Sequence, residues 1–290
     1  MQIRELYGWR RPVFSIEIFP PKTEAGIAHL KRWLAEAAAF GPDYISVTYG
    51  AGGGTRQSTH DLCAHIRAEL PTESMAHLTC VSHTQDKIDE LLGALHRRGI
   101  DNIMALRGDP PRGEPAFAPP PGGFRYAAEL VRAIAARDHF CIGVAGYPEG
   151  HIEAPSYEAD LRHQIEKIEA GAHLIVSQFF LENRHFLKWR DDLRGAGVTV
   201  PIVAGVLPAQ SLEQITRFAG FCGVSVPEAL KRELARFADD PESAAQAGIA
   251  YAQRQVEELL AAGIDGLHLY ALNKLAPVQA IAPMVKGAAG

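Results

Sequence analysis

The sequence predicts an α/β fold, a (β/α)8 TIM barrel with an extra helix between its seventh and eighth strands. Three observations predict it: eight strand-like apolar runs, a helical segment in every interval between them, and a length of 290 residues. Strict alternation of strand and helix means parallel pairing through right-handed crossovers. Eight such units in a chain of this size favour a closed barrel over the runner-up, an open doubly wound sheet. No Pro- or Ser-rich linker interrupts the chain, so residues 1–290 are expected to form one barrel domain.

The strand-like runs lie at 13–19, 44–49, 75–81, 102–106, 140–147, 173–179, 201–207 and 266–272. Helix-like segments occupy 24–39, 57–69, 85–98, 124–137, 156–170, 183–195 and 210–220. Ile88, Leu91, Leu92 and Leu95 show the three- and four-residue spacing of an amphipathic helix. Gly99, Gly171, Gly197 and Gly263 follow helical runs, where C-terminal caps are expected. The interval before the last strand holds two more segments, 227–238 and 241–262, and a final helix is expected at 276–287. The Pro/Gly-dense stretch 110–123 falls between the fourth strand and its helix, so it reads as a βα loop and not a boundary.

Composition narrows the function classes. Hydrophobic and charged fractions of 47% and 22% are those of an ordinary soluble domain. A net charge of −5 without a basic run argues against nucleic acid as a partner. No apolar run reaches the roughly 18 residues that span a bilayer, and the opening MQIRELYGWRRP lacks a signal-peptide core. Cys63, Cys80, Cys141 and Cys222 lie far apart without a CxxC pair, which points to reduced thiols and a cytoplasmic location. Twelve histidines form no HxH or HExxH, so no metal site is expected.

In such barrels chemistry gathers at the C-terminal ends of the strands. The first strand, in VFSIEIFPP, carries Glu17 where an apolar residue would be safer, since burying an unpaired charge costs on the order of several kcal/mol. Alternation sets Glu17 on the inward face with Ser15, while Ile16 and Ile18 face the helices. Thr48, His77, Arg107, Asp109, Tyr147, Gln178, Asn273 and Lys274 stand at the other strand ends. One polar residue so placed is ordinarily a satisfied core group; a set from almost every strand converging on one mouth marks a site. The loop GAGGGT (50–55) fits neither phosphate fingerprint, because no GK[ST] follows and Thr55 fills the sixth position of GxGxxG. It reads as a loop whose backbone approaches a ligand. No predicted strand carries the lysine a Schiff-base enzyme needs. Asp160, His163, Gln164 and Lys167 share one face of the helix at 156–170. Spacing alone favours a solvated polar face there over a nucleotide-holding surface.

The motifs SIEIFPPK, SVTYGAGGGTR, AHLTC, ALRGDPP, AGYPEGH, SQFF, GVLP and LHLYALNK, in this order over about 13–275, resemble the methylenetetrahydrofolate reductase family. The resemblance implies a barrel carrying FAD. It also implies the reaction: NADH or NADPH reduces the flavin, which then reduces 5,10-methylenetetrahydrofolate to 5-methyltetrahydrofolate in alternating, ping-pong turnover. Glu17 matches the family's general acid toward N10 of the folate. A carboxyl in a partly desolvated mouth is expected to have its pKa raised, which suits that task. Asp109 matches the aspartate near flavin and pterin. Gln178 matches a residue shared by folate and nicotinamide, Gln214 another folate contact, and Phe218 an aromatic packed on the bound substrate. For FAD, the matching positions are Thr48, Tyr49, Ala51, His77, Arg107, Gly108, Asp109, Tyr126, Ala127, Tyr147, His151, Ala154, Asp160, His163 and Lys167, which turns the 156–170 helix towards the functional reading.

His163 and Glu166 stand where some relatives carry Asn and a basic residue, so contacts to FAD phosphate and ribose are expected to differ. Lys274 replaces an arginine often seen after LN and lacks its two-pronged grip, which bears on its expected substrate contact. The resemblance implies a homo-oligomer. The chain ends soon after the eighth unit, and no control by S-adenosylmethionine is expected. Two other classes stay open from the residues alone: a flavin-free lyase or hydrolase using Glu17 and Asp109, and a non-catalytic flavin- or folate-binding protein.

Overall fold

The computed structural model describes residues 1–8, 11–49, 56–110, 113–114 and 117–288, with Arg56 described by its backbone only. Eight strands close into one parallel barrel in sequence order: β1 Val13–Ile18, β2 Tyr44–Val47, β3 Glu73–Thr79, β4 Asn102–Leu106, β5 Cys141–Gly146, β6 Leu174–Ser177, β7 Ile202–Val206 and β8 Gly266–Tyr270. The open-sheet alternative is thereby excluded, since β1 pairs with β8 through the register Ser15↔His268 and Glu17↔Tyr270. The connecting helices are α1 Glu24–Ala38, α2 Arg56–Glu69, α3 Gln85–Arg97, α4 Ala127–Ala135, α5 Tyr157–Glu169, α6 Asn183–Gly195 and α7 Leu212–Cys222. Two more, α8 Glu228–Ala235 and α9 Pro241–Ala261, precede β8, and α10 Leu275–Gly287 follows it.

The helices begin where the sequence supplies an acceptor for the first free N–H groups. Thr23, Thr84, Ser156, Ser211 and Asp240 each cap the helix that follows. Gly99, at φ +72°, ends the turn after α3 in the left-handed region that other residues avoid. Outward strand residues such as Ile16, Ile45, Ile103, Ile142 and Leu269 pack beneath the helices in the main core. Inward residues fill the barrel itself: Val13, Tyr44, Met75, Met104, Cys141, Leu174, Val176 and Val203 form a separate inner core.

A short 3-10 helix at Ile3–Gly8, absent from the sequence reading, stoppers the N-terminal end of that inner core with Ile3 and Leu6. Asn102 fixes it: its Oδ1 accepts from Ile3 N at 2.9 Å, and its Nδ2 donates to the carbonyls of Met1 and Ser74, each at 3.2 Å. The barrel is thus apolar and closed below, polar and open above. Among the described residues no helix is long and apolar enough to cross a membrane.

Candidate functional site

The floor of the open end is built around Glu17. Alternation along β1 turns Ser15 and Glu17 inward, and the parallel register sets Glu17 between Ser46 of β2 and Tyr270 of β8. Its Oε2 lies 3.3 Å from His77 Nε2 and 3.4 Å from His268 Nε2. Each imidazole also meets a serine: Ser46 Oγ is 2.7 Å from His77 Nε2, the same nitrogen that faces Glu17, and Ser15 Oγ is 2.7 Å from His268 Nδ1, on the far side of that ring. Below them the Tyr44 hydroxyl bonds Ser15 and lies 3.3 Å from the hydroxyl of Tyr7. Burial is the largest influence on the Glu17 carboxyl and pushes its pKa up, but hydrogen bonds and charge from His268 and His77 outweigh it and hold the group at about 2. The expectation of a raised pKa is therefore corrected: in the open cleft Glu17 is a carboxylate.

Above this floor the tips of β4 and β5 and the start of α5 form a long cleft. Arg107 donates twice to Glu153, at 2.5 and 2.8 Å, and its guanidinium lies 5.2 Å from the centre of the Phe117 ring. Phe117, between β4 and α4, thus packs on the arginine. Gly108 turns at φ +85°, and a Cβ there would come within 2.6 Å of Val81 Cγ2. Only glycine suits that bend, and it leaves bare backbone facing the cleft. Tyr126, 54% exposed, begins α4 at the rim.

The polar face of α5 is turned inward. Asp160, Gln164 and Lys167 are buried, while His163 stays exposed at the cleft edge. Gln164 Oε1 accepts from Tyr147 N at 3.1 Å and from Trp189 Nε1 at 2.8 Å, and its Nε2 donates to Asp160 Oδ2 at 2.6 Å. The same carboxylate accepts from His151 N at 3.0 Å. Lys167 Nζ donates to the Ala145 carbonyl at 2.5 Å and lies 5.5 Å from the Tyr147 ring centre. Burial lowers its pKa to about 8, opposed by the negative charge of Asp160. The solvated-face reading that spacing alone favoured is overturned: these residues form an internal network with a cation at the cleft wall.

One cleft of about 940 Å³ collects most of the expected positions. Glu17, His77, Arg107, Gly108, Asp109, Tyr126, Ala127, Tyr147, His151, Ala154, Asp160, His163, Lys167, Gln178 and Phe218 all line it. Thr48, Tyr49, Gln214 and Lys274 do not line it. Thr48 uses its carbonyl to accept from Thr59, and the Tyr49 hydroxyl meets His83 Nε2 at 2.8 Å. Gln214 Oε1 accepts from Gln210 N at 3.1 Å, while its Nε2 is buried without a hydrogen-bond partner. Lys274 is exposed as the residue before α10. Asn273, collected with the strand ends, clasps the backbone of Phe19 from both sides, at 3.1 and 2.9 Å, and so holds the loop after β1. Ala51 lies outside the described residues, as does the rest of the GAGGGT loop.

The cleft also contains residues the sequence reading passed over: His268, Tyr270, Glu153 and Cys222. His268 carries the same signal as Glu17, a polar inward residue between Leu267 and Leu269. Tyr270 donates its hydroxyl to Ser177 O at 2.8 Å, which closes the seam between β6 and β8 under the cleft.

Residues 2–286 match the family profile described as methylenetetrahydrofolate reductase. A relative from Arabidopsis thaliana, named methylenetetrahydrofolate reductase (NADH) 1, is 40% identical over 283 residues, covering 94% of this chain and 48% of its own length. The chain thus spans about half the length of the plant relatives it matches. The 5,10-methylenetetrahydrofolate reductase of Escherichia coli is 34% identical over 262 residues, covering 90% of this chain and 86% of that one. Among solved structures, a Clostridium thermocellum protein described as binding two copies of 5-methyl-5,6,7,8-tetrahydrofolic acid superposes with a TM-score of 0.62 at 15% identity. It covers 99% of both chains, a likeness that supports the fold alone. By the profile match across nearly its whole length, this chain belongs to the methylenetetrahydrofolate reductase family.

Proposed function

We propose that this barrel binds FAD and reduces 5,10-methylenetetrahydrofolate to 5-methyltetrahydrofolate with electrons from a reduced nicotinamide. One observation carries the reading: a single cleft joins an inward carboxylate, Glu17, at the barrel floor to a buried cation, Lys167, at the wall. NADH is the proposed donor on the strength of the names of the plant relatives. Four free cysteines, three of them buried, fit a cytoplasmic protein.

The residues fit a flavin dinucleotide. About 940 Å³ lies near the upper end for ligand pockets. Lys167 and Arg107 supply positive charge for phosphates, the bare backbone at Gly108 permits close approach, and Tyr126 and Tyr147 offer aromatic faces. When bound, FAD supplies the hydride relay between nicotinamide and folate.

The chain's own residues then do three things. Asp109 and Gln178, at the ends of β4 and β6, orient the substrate, and Phe218 packs against it and excludes water. Asp109 also sets negative charge beside the flavin. Glu17 delivers a proton to N10 of the folate: an entering ligand strips water from the carboxyl, burial raises its pKa so that it takes up a proton from the departing solvent, and that proton is then passed to N10. His77 and His268 hold it aimed at the cleft and keep it ionised until then.

Purification with added FAD, followed by visible spectroscopy and separate rapid-mixing of the two half-reactions, tests the proposal. Flavin bands that bleach with NADH and return with methylenetetrahydrofolate are expected. A protein that takes up no flavin and gains no activity from it would overturn the reading.

A further inference from the structure

At the closed end of the barrel, away from the cleft, three metal-ligating side chains meet on two adjacent loops. His96 stands in the last turn of α3, Asp101 in the loop to β4, and His139 in the loop from α4 to β5. Their ligand atoms lie within 4.8 Å of one another, the one such cluster among the described residues. His96 Nδ1 is 2.7 Å from Asp101 Oδ1, and the His96 and His139 rings are centred 3.9 Å apart at a tilt of 42°.

The surrounding backbone fixes these loops. Cys141 N donates to Asp101 O at 2.8 Å, and Gln2 Nε2 donates to His139 O at 3.0 Å. Within that frame His139 Nε2 is buried and makes no hydrogen bond. Buried polar atoms nearly always find a hydrogen-bond partner, because leaving one unmet is costly. Here the groups beside it are an imidazole and a carboxylate, and a cation satisfies all three at once.

We propose that His96, Asp101 and His139 form a binding site for a divalent transition ion of the zinc class, tying the α3–β4 loop to the α4–β5 loop. Two imidazoles and one carboxylate suit Zn²⁺, Co²⁺ or Ni²⁺, whereas Mg²⁺ and Ca²⁺ prefer all-oxygen sets. Bonds of about 2.0–2.1 Å to a tetrahedral ion would put ligand atoms roughly 3.3 Å apart. The cluster must therefore draw in by about 1.5 Å at its widest. His96, with half its side-chain surface exposed, has the freedom to make that movement. The fourth position is left to water. HxH and HExxH spacing could not reveal such a site, because its ligands come from two separate loops.

The full chain, stripped with EDTA and titrated with Zn²⁺ and separately with Co²⁺, tests the site. One ion per chain, a rise in melting temperature with added Zn²⁺ and the visible band of four-coordinate Co²⁺ are expected, with no effect from Mg²⁺ or Ca²⁺. His96→Gln and Asp101→Asn should each weaken binding at least tenfold while melting like the parent in EDTA. Absence of stoichiometric binding overturns the proposal. So does undiminished affinity in both variants, which would assign the ion to other groups such as the thiols.

Discussion

His268 stands between Ser15 and Glu17, its Nδ1 2.7 Å from the serine hydroxyl and its Nε2 3.4 Å from the carboxylate. The serine thus bonds one ring nitrogen while the other faces Glu17. His77 approaches the same oxygen from the opposite side of the barrel floor. Removing one ring leaves the burial and takes away part of what opposes it. In His268→Phe the Glu17 pKa should therefore rise by about one unit or more, read by carbon NMR titration of labelled glutamate. A value still at about 2 would show that His77 suffices. The sign for stability follows. A depressed carboxyl stabilises the folded chain above its ordinary pKa, and that contribution is lost as pH falls from near 4.5 through about 2. The variant should lose part of this acid-sensitive component.

Glu17→Gln keeps the shape of the floor and removes the transferable proton. Reduction of bound flavin by NADH should be spared, and reduction of methylenetetrahydrofolate should slow by roughly 10²–10⁴-fold. Rapid-mixing of each half-reaction measures the split. Equal damage to both halves would make Glu17 a structural residue.

Lys167 is a cation buried at some cost, with its pKa lowered to about 8. The penalty on the folded chain is present below that value and is relieved as pH rises from about 8 towards the ordinary lysine range. Lys167→Met should remove this alkaline rise in stability and weaken FAD retention. Thermal melts across pH 7–10 and flavin content after dilution check the two effects (~pH steps of one unit suffice). Unchanged retention would separate Lys167 from cofactor binding.

Glu153 competes with any anion for Arg107, since it takes both prongs of the guanidinium. At 47% exposure it contributes little to stability. Glu153→Gln should leave the melting temperature nearly unchanged and slow FAD dissociation by about threefold or more at low salt, an effect that fades as salt is raised. Faster dissociation would mean that Glu153 holds Arg107 in its binding position.

Leu6, 3% exposed, seals the inner core with Ile3. Leu6→Ala should cost about 2–4 kcal/mol in urea unfolding. A loss under half a kcal/mol would show that the 3-10 helix packs only loosely on the barrel.

The strand and helix order was legible because each element keeps one period through its whole length, and Glu17 was legible because it sets a charge inside an otherwise uncharged strand. His268 gave the same signal from β8 and was passed over beside so hydrophobic a strand. The inward turn of α5 could not be read from spacing, because Asp160 and Gln164 find their partners in the β5–α5 loop and in Trp189 of α6. The depressed Glu17 carboxyl was hidden for a similar reason: His77 and His268 lie 60 and 251 residues away in sequence, and distance in sequence says nothing of charge brought near. The 3-10 helix offers only Ile3 and Leu6, too short a pattern to announce itself.

Among the described residues, that small stopper makes the barrel a vessel closed at its foot. Ile3, Leu6 and the inner row, among those residues, are buried and apolar underneath, so solvent reaches Glu17 from above, past whatever occupies the mouth. A ligand filling the cleft therefore shuts the carboxyl off from bulk water, so the proton it hands over has to be taken in while the visitor enters, and the next one only after that visitor has left.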